Sequence, residues 1–202
     1  IKQHYRYGKY LKLPLSGAMA LTLFFLTSFL MKAMLFAAGL GTRLKPFTDK
    51  HPKALAEVNG KTLLEHNIKY LQHFGINNVL VNVHHFADQI EETINKNKGF
   101  GSKVTVSDER NEVLETGGGL KKAAAHFINE EAFVVMNVDV LTNLNLNKMI
   151  EAHNTSDALA TLAVMKRNSS RQLLFDEHML LCGWANNKTG EQRIAREVLS
   201  LT

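Results

Sequence analysis

Among 202 residues this chain has one cysteine, three prolines and one tryptophan, and only 8% of it is aromatic. The lone Cys182 cannot close an internal disulfide or build a Cys-rich zinc site, and no His/Asn constellation accompanies it to suggest a thiol nucleophile. A reducing compartment, the cytoplasm, suits such a chain. No low-complexity tract is present, and a composition that is 45% apolar and 21% charged is that of a globular protein able to bury a substantial core. A useful excess of positive charge is also missing. The formal charge of +5 arises because Lys2, Arg6, Lys9 and Lys12 face no acid within residues 1–30, which leaves 20 basic and 19 acidic residues in 31–202. With no Lys/Arg run and interleaved aromatics after residue 30, a nucleic-acid partner is not expected.

From Leu13 to Met31 no residue is charged, and the stretch follows a basic run in the manner of a signal peptide or signal anchor. Met31 directly precedes Lys32-Ala33-Met34-Leu35-Phe36-Ala37-Ala38, which reads as the first buried strand of an α/β domain. A membrane helix would have to end where that strand begins. Residues 1–30 are therefore expected to be a leader outside the fold, and 31–202 one domain with no internal linker and no membrane partner. Nothing in the sequence speaks to the oligomeric state.

Beyond Met31, short apolar runs alternate with amphipathic stretches, the pattern of βαβ units and a mainly parallel sheet. Strands are expected at 32–37, 78–83, 103–107, 132–136 and 158–165, with a hairpin of 172–175 and 180–184. Helices are expected at 62–73, 87–96, 117–127 and 146–154. The first helix is signalled by the Thr62/Glu65 capping box, the Leu64, Ile68, Leu71 face and the terminating Gly75.

The loop after the first strand reads Ala37-Ala38-Gly39-Leu40-Gly41-Thr42-Arg43-Leu44-Lys45-Pro46-Phe47-Thr48, followed by Pro52-Lys53. Leu44 stands where a dinucleotide fingerprint needs its third glycine, and no GK[ST] follows, so both the Rossmann and P-loop motifs fail. What remains is a small-residue loop whose N–H groups can approach phosphates, with Arg43 and Lys53 as cations beyond it. The second Gly-rich segment, Leu114-Glu115-Thr116-Gly117-Gly118-Gly119, precedes a helix whose first N–H groups lack internal partners. The third element, Val134-Val135-Met136-Asn137-Val138-Asp139, delivers a carboxylate to the carboxyl end of a buried strand, where it can be a hard metal ligand or a turn residue. His84 and His85 find no third ligand at sensible spacing and read as structural. Asp108, Glu109 and Glu112 read as a solvated turn, and Leu173, Leu174, Phe175 and Trp184 as core or an oligomer face.

The run Gly39-x-Gly41-Thr42-Arg43-Leu44-x-Pro46-x-Thr48 with Pro52-Lys53 resembles the signature of the sugar-1-phosphate nucleotidylyltransferases. The Glu-Thr-Gly-Gly-Gly form is similar to that of N-acetylmuramate 1-phosphate uridylyltransferases and mannose-1-phosphate guanylyltransferase-like proteins. The resemblance covers about residues 31–194 and implies the nucleotide-diphospho-sugar transferase fold, a Rossmann-like parallel sheet flanked by helices. It implies transfer of a nucleoside monophosphate from a nucleoside triphosphate to a sugar 1-phosphate, with Arg43 and Lys53 catalytic and Mg²⁺ held by Asp139. Nucleotide contacts would come from Ala37, Ala38, Gly39, Gly41, Thr42, Arg43, Thr116, Gly117 and Gly118. UTP with N-acetylmuramate 1-phosphate is the first expectation for the substrates, and GTP with mannose 1-phosphate the second. Val138 departs from the glycine usual in the family. A second metal-binding aspartate on a later strand is not recognised before Thr202, so the carboxyl-terminal part is expected to be truncated. Two rival readings are a nucleotide-binding regulatory module without turnover and a membrane-tethered interaction protein.

Overall fold

In the computed structural model the described residues are 4–6, 31–112 and 114–195. They fall into two compact units divided between Asn143 and Leu144. Most of the expected leader, with the uncharged stretch up to Leu30, lies outside the described residues; only the backbone of β1 (His4–Arg6) belongs to them. Among the described residues no helix is long and apolar enough to cross a membrane.

The larger unit is built on four parallel strands, β2 (Lys32–Phe36), β5 (Asn78–Val83), β6 (Lys103–Asp108) and β7 (Val134–Asn137), in the order β6-β5-β2-β7. Two-residue strands β3 (Glu57–Val58) and β4 (Lys61–Thr62) form a hairpin about Asn59-Gly60, both with positive φ. That hairpin adds to the expected elements, and Asn-Gly is the strong two-residue turn signal for it. Helices α1 (Leu63–His73) and α2 (Ala87–Lys96) carry the chain from β2 to β5 and from β5 to β6, and α3 (Glu115–Ala123) returns it to β7. Right-handed crossovers put α1 and α2 on one face of the sheet and α3 on the other, because the chain reverses its march across the sheet after β6. Met34 and Leu80 accordingly bury with Ala123 and Phe127, against which Phe36, Leu120 and Phe133 pack. Their strand neighbours Ala33, Leu35, Val79 and Val81, which point to the opposite face, are also buried. The expected parallel sheet flanked by helices is thus what this unit contains.

Local signals act as read. Thr62 Oγ1 accepts the Glu65 N–H at 3.1 Å to cap α1, and Leu64, Ile68 and Leu71 are fully buried. The helix expected at 117–127 instead begins at Glu115 and passes into a 3-10 turn over Ala124–His126. Strand β7 is shorter than the expected 132–136 and shifted toward Asn137.

The smaller unit contains α4 (Leu146–Asn154), capped by the Asn145 side chain, and β8 (Ala158–Thr161), antiparallel to β1. It also contains a three-stranded antiparallel sheet of β9 (Arg171–Phe175), β10 (Leu181–Asn186) and β11 (Glu191–Ile194) in the order β11-β10-β9. The expected hairpin is present. β11 escapes sequence reasoning because its Glu-Gln-Arg-Ile sequence is exposed at every position and shows no apolar alternation.

Candidate functional site

In a sheet of order β6-β5-β2-β7 the strand sequence changes direction between β2 and β7, and the crevice beyond their carboxyl ends is where open α/β sheets bind ligands. The loop after β2 and the segment after β7 meet there, since Val138 N–H donates to Phe36 O at 3.0 Å.

The loop after β2 is shaped by contacts to its own chain. Gly41 has φ +64, and an added Cβ would lie 2.9 Å from Thr48 Cγ2 and 3.0 Å from Lys53 Cβ. Buried Thr48 donates its hydroxyl to Gly41 O at 3.0 Å, and the Leu44 N–H reaches the same carbonyl at 2.8 Å. Pro52 is buried and opens a 3-10 turn over Lys53–Leu55. Gly39 is exposed, and a Cβ added there would meet nothing within 4 Å. The N–H groups of Gly39, Leu40 and Gly41 have no acceptor among the described residues. Thr42 and Arg43 are exposed in a one-turn 3-10 helix, and the Arg43 guanidinium has no carboxylate partner among the described residues.

Two groups expected to bind ligand through their backbone are already engaged. Ala37 N–H donates to Asn82 Oδ1 at 2.7 Å and Ala38 N–H to the same oxygen at 3.3 Å. These residues shape the loop from beneath, and the N–H donors still available begin at Gly39.

Asp139 stands just past β7, and its carboxylate forms an ion pair with Lys53. The two residues are 86 positions apart in sequence. The turn that presents Asp139 is held from below by Asn67 on α1, whose Nδ2 donates to Val138 O at 2.7 Å and to Leu63 O at 2.8 Å. Val138 is buried and its φ is not positive, so the side chain replacing the family's glycine packs inward without a left-handed backbone. Among the described residues no group of three or more His, Cys, Asp or Glu could hold a metal. A lone hard carboxylate fits Mg²⁺, which keeps waters and completes its shell with substrate phosphates.

The glycine triplet lies inside the first turns of α3. Thr116 and Gly117 are exposed, whereas Gly118 N–H donates to Leu114 O at 3.1 Å and is thereby used within the helix. A Cβ would meet nothing at Gly117, Leu114 Cβ at 2.9 Å at Gly118, and Glu109 Oε1 at 2.9 Å at Gly119. Each of the two Gly-rich segments therefore offers one open glycine, Gly39 or Gly117, and packs the others.

The solvated turn expected at 108–112 requires a correction. Asp108 and Glu112 are exposed, but Glu109 is 2% exposed and its Oε1 accepts from Asn82 Nδ2 at 3.0 Å. A charge in a short acidic run reads as solvent-facing, and only the fold shows that β5 supplies a buried donor opposite it. His84 Nδ1 donates to Glu109 O at 2.7 Å, the structural role expected of it, and His85 lies against the Phe86 ring. Exposed Arg110 bridges Asp108, Asp88 and Glu91. Its hydrogen bond to Glu91 raises the guanidinium pKa, with Asp108 and Asp88 adding to the shift. In the smaller unit Trp184 lies under the Arg193 guanidinium, and Leu173 is 44% exposed.

Comparison with known proteins agrees with this geometry. The nucleotidyl transferase family model matches residues 32–173. An N-acetylmuramate alpha-1-phosphate uridylyltransferase of Caulobacter vibrioides is 45% identical over 109 residues, which is 53% of this chain and 45% of that enzyme. The mannose-1-phosphate guanylyltransferase catalytic subunit beta of Xenopus tropicalis is 32% identical over 138 residues, 67% of this chain and 38% of that protein. HddC from Yersinia pseudotuberculosis, solved in complex with GMP-PN, superimposes with a TM-score of 0.53 at 34% identity, covering 60% of this chain and 53% of that one. The chain thus spans less than half the length of these curated relatives. With the family model covering the whole parallel sheet and its loops, this chain belongs to the nucleotidyl transferase family.

Proposed function

We propose that the chain is the nucleotide-binding part of an enzyme that transfers a nucleoside monophosphate from a nucleoside triphosphate to a sugar 1-phosphate, releasing pyrophosphate. The observation that carries this reading is the contact of Lys53 with Asp139 at the β2/β7 crevice. Beside it lies a loop whose Gly39, Leu40 and Gly41 N–H groups, like the Arg43 guanidinium, are unengaged among the described residues. A phosphoryl-transfer site needs little covalent chemistry from the protein. It needs oriented donors, cations and a carboxylate that can share a divalent metal with phosphates.

In this proposal a phosphate oxygen of the sugar 1-phosphate attacks the α-phosphorus in line, a new P–O bond forms, and the bond from that phosphorus to the bridging oxygen breaks. The attacking oxygen is already anionic, so no general base is required. Arg43, with its planar fork, holds the departing β- and γ-phosphates, assisted by the N–H groups of Gly39, Gly41 and Thr42. Lys53 draws together two phosphates that otherwise repel. Asp139 would hold Mg²⁺, which when bound neutralises charge on the triphosphate. Thr116 and Gly117 at the exposed start of α3 meet the base, while Ala37, Ala38 and Gly118 support the backbone that makes these contacts. Every residue given a role in this reading lies within residues 37–139.

For substrates, UTP with N-acetylmuramate 1-phosphate is preferred, supported by the 45% identity to the Caulobacter enzyme. GTP with mannose 1-phosphate is the second reading, favoured by the Xenopus relative and by the GMP-PN complex of HddC. The test is an array of the common nucleoside triphosphates against sugar 1-phosphates, read by pyrophosphate release. Release with UTP and N-acetylmuramate 1-phosphate alone supports the first reading, and release with GTP and mannose 1-phosphate the second. Nucleotide binding without release for any pair would leave a binding module in place of an enzyme.

A further inference from the structure

Beneath the loop after β2 lies a buried polar chain that the proposed chemistry does not use. Asn82, on β5, is 1% exposed. Its Oδ1 accepts both the Ala37 and Ala38 N–H groups, and its Nδ2 donates to Glu109 Oε1. This amide orientation is dictated by chemistry, because backbone N–H groups need an acceptor and the carboxylate needs a donor. Glu109 is anchored in turn: its N–H donates to Val83 O at 2.7 Å and its carbonyl accepts from His84. Its second carboxylate oxygen is buried with no hydrogen-bond partner among the described residues. On the other side the chain ends against Gly119, where a Cβ would stand 2.9 Å from Glu109 Oε1 and 3.0 Å from Asn82 Nδ2. A buried carboxylate is costly, and its retention with one oxygen unsatisfied asks for a reason beyond stability.

We infer that Asn82 and Glu109 are positioning residues that form a brace between the phosphate-facing loop at Ala37–Gly41 and the glycine triplet of α3. The brace rests on the nucleotide-binding reading above. Asn82 fixes the N–H directions at Ala37 and Ala38 and thereby aims the unengaged donors that follow at Gly39 to Gly41. Glu109 holds the Asn82 amide in the one orientation that can do this. Gly119 lets α3 close onto the pair, so the spacing between Gly39 and Gly117, the two open glycines, is set through these side chains. Both Asn82 and Glu109 are buried, so their effect on a nucleotide would pass through the backbone they hold.

The test exchanges the polarity of the pair and reads nucleotide affinity. Calorimetry with Mg·UTP and Mg·GTP is run on the full chain and on N82A, N82D, N82D/E109Q and G119A, each checked for native far-UV circular dichroism. At pH 8, N82A and N82D are expected to lose about tenfold or more in affinity, N82A because two N–H groups lose their acceptor and N82D because two carboxylates face each other. N82D/E109Q gives the pair one amide and one carboxylate again, with the donor now at position 109, and is expected to return to within about threefold of wild type. A merely structural role would not produce rescue by the swap. If N82D does not fold, G119A carries the test, with the same tenfold loss expected from crowding the pair. Wild-type affinity in the single variants, or a double variant no better than N82D, overturns the brace alone. Absence of wild-type binding to both nucleotides overturns the nucleotide reading and the brace with it.

Discussion

Two glycines of one motif, Gly39 and Gly41, should respond in opposite ways to the same added methyl. At Gly41 an alanine would hold a left-handed backbone, which costs about 1–2 kcal/mol. Its Cβ would also press on Thr48 and Lys53, and neither can retreat freely: Thr48 is buried and hydrogen-bonded to Gly41 itself, and Lys53 is paired with Asp139. Overpacking of that kind adds about 1–3 kcal/mol, so Gly41→Ala should destabilise the protein by roughly 2–5 kcal/mol. For a chain of this size that is a fall in Tm of about 4–20 °C by differential scanning calorimetry. Gly39→Ala meets nothing and needs no left-handed φ, so its stability should change by less than about 1 kcal/mol in either direction. The open space it fills is where the proposal puts phosphate oxygens, and calorimetric titration with Mg·UTP and Mg·GTP should show roughly tenfold weaker binding or worse, the scale of a lost charge-assisted hydrogen bond. Equal stability losses for the two variants would refute the argument from Gly41 geometry. Unchanged affinity in Gly39→Ala would remove the loop N–H groups from the phosphate site.

Replacement of Arg43, Lys53 or Asp139 by Ala in an active form of the enzyme should lower pyrophosphate release about a hundredfold or more while changing stability by under about 1 kcal/mol, since the residues are exposed or half-buried. Asp139→Asn is the sharpest case: wild-type turnover at ordinary Mg²⁺ would return Asp139 to a turn residue. Asn67→Ala should cost about 1–3 kcal/mol in urea denaturation, because it leaves the carbonyl of Val138 without its buried donor, and it should also lower turnover by loosening the turn that presents Asp139. His126, half-buried and near Lys32 and Lys103, has its pKa pushed below the usual histidine value, mainly by desolvation. The unfolded chain therefore binds more protons, so the stability this neutral ring contributes is present above about pH 6.5 and is lost as the pH falls through its lower folded value. His126→Phe should flatten the pH dependence of Tm between about pH 7 and 5, and an unchanged slope would exclude His126 as its source.

The parallel sheet and its three crossover helices are legible in the sequence because local patterns determine them. The apolar runs of β2 and β5 cannot face water on either side, and the Thr62 cap and the Leu64, Ile68, Leu71 stripe act over neighbouring turns of one helix. The loop motif, with Arg43 and Lys53 as its charged members, is legible for the same reason, as is Asp139 at the end of its strand. Local patterns say nothing about residues far along the chain that fold into contact. The pairing of Lys53 with Asp139, the grip of Asn67 on Val138, and the burial of Glu109 against Asn82 each join segments separated by 27 residues or more. Likewise, Gly39 and Gly41 look interchangeable as letters. Only the packed neighbours Thr48 and Lys53 make one a backbone requirement and leave the other as open space. Composition and periodicity assign each residue to an element, whereas burial and partner are properties of how the elements pack, and those decided which polar groups face a ligand and which hold the loops that do.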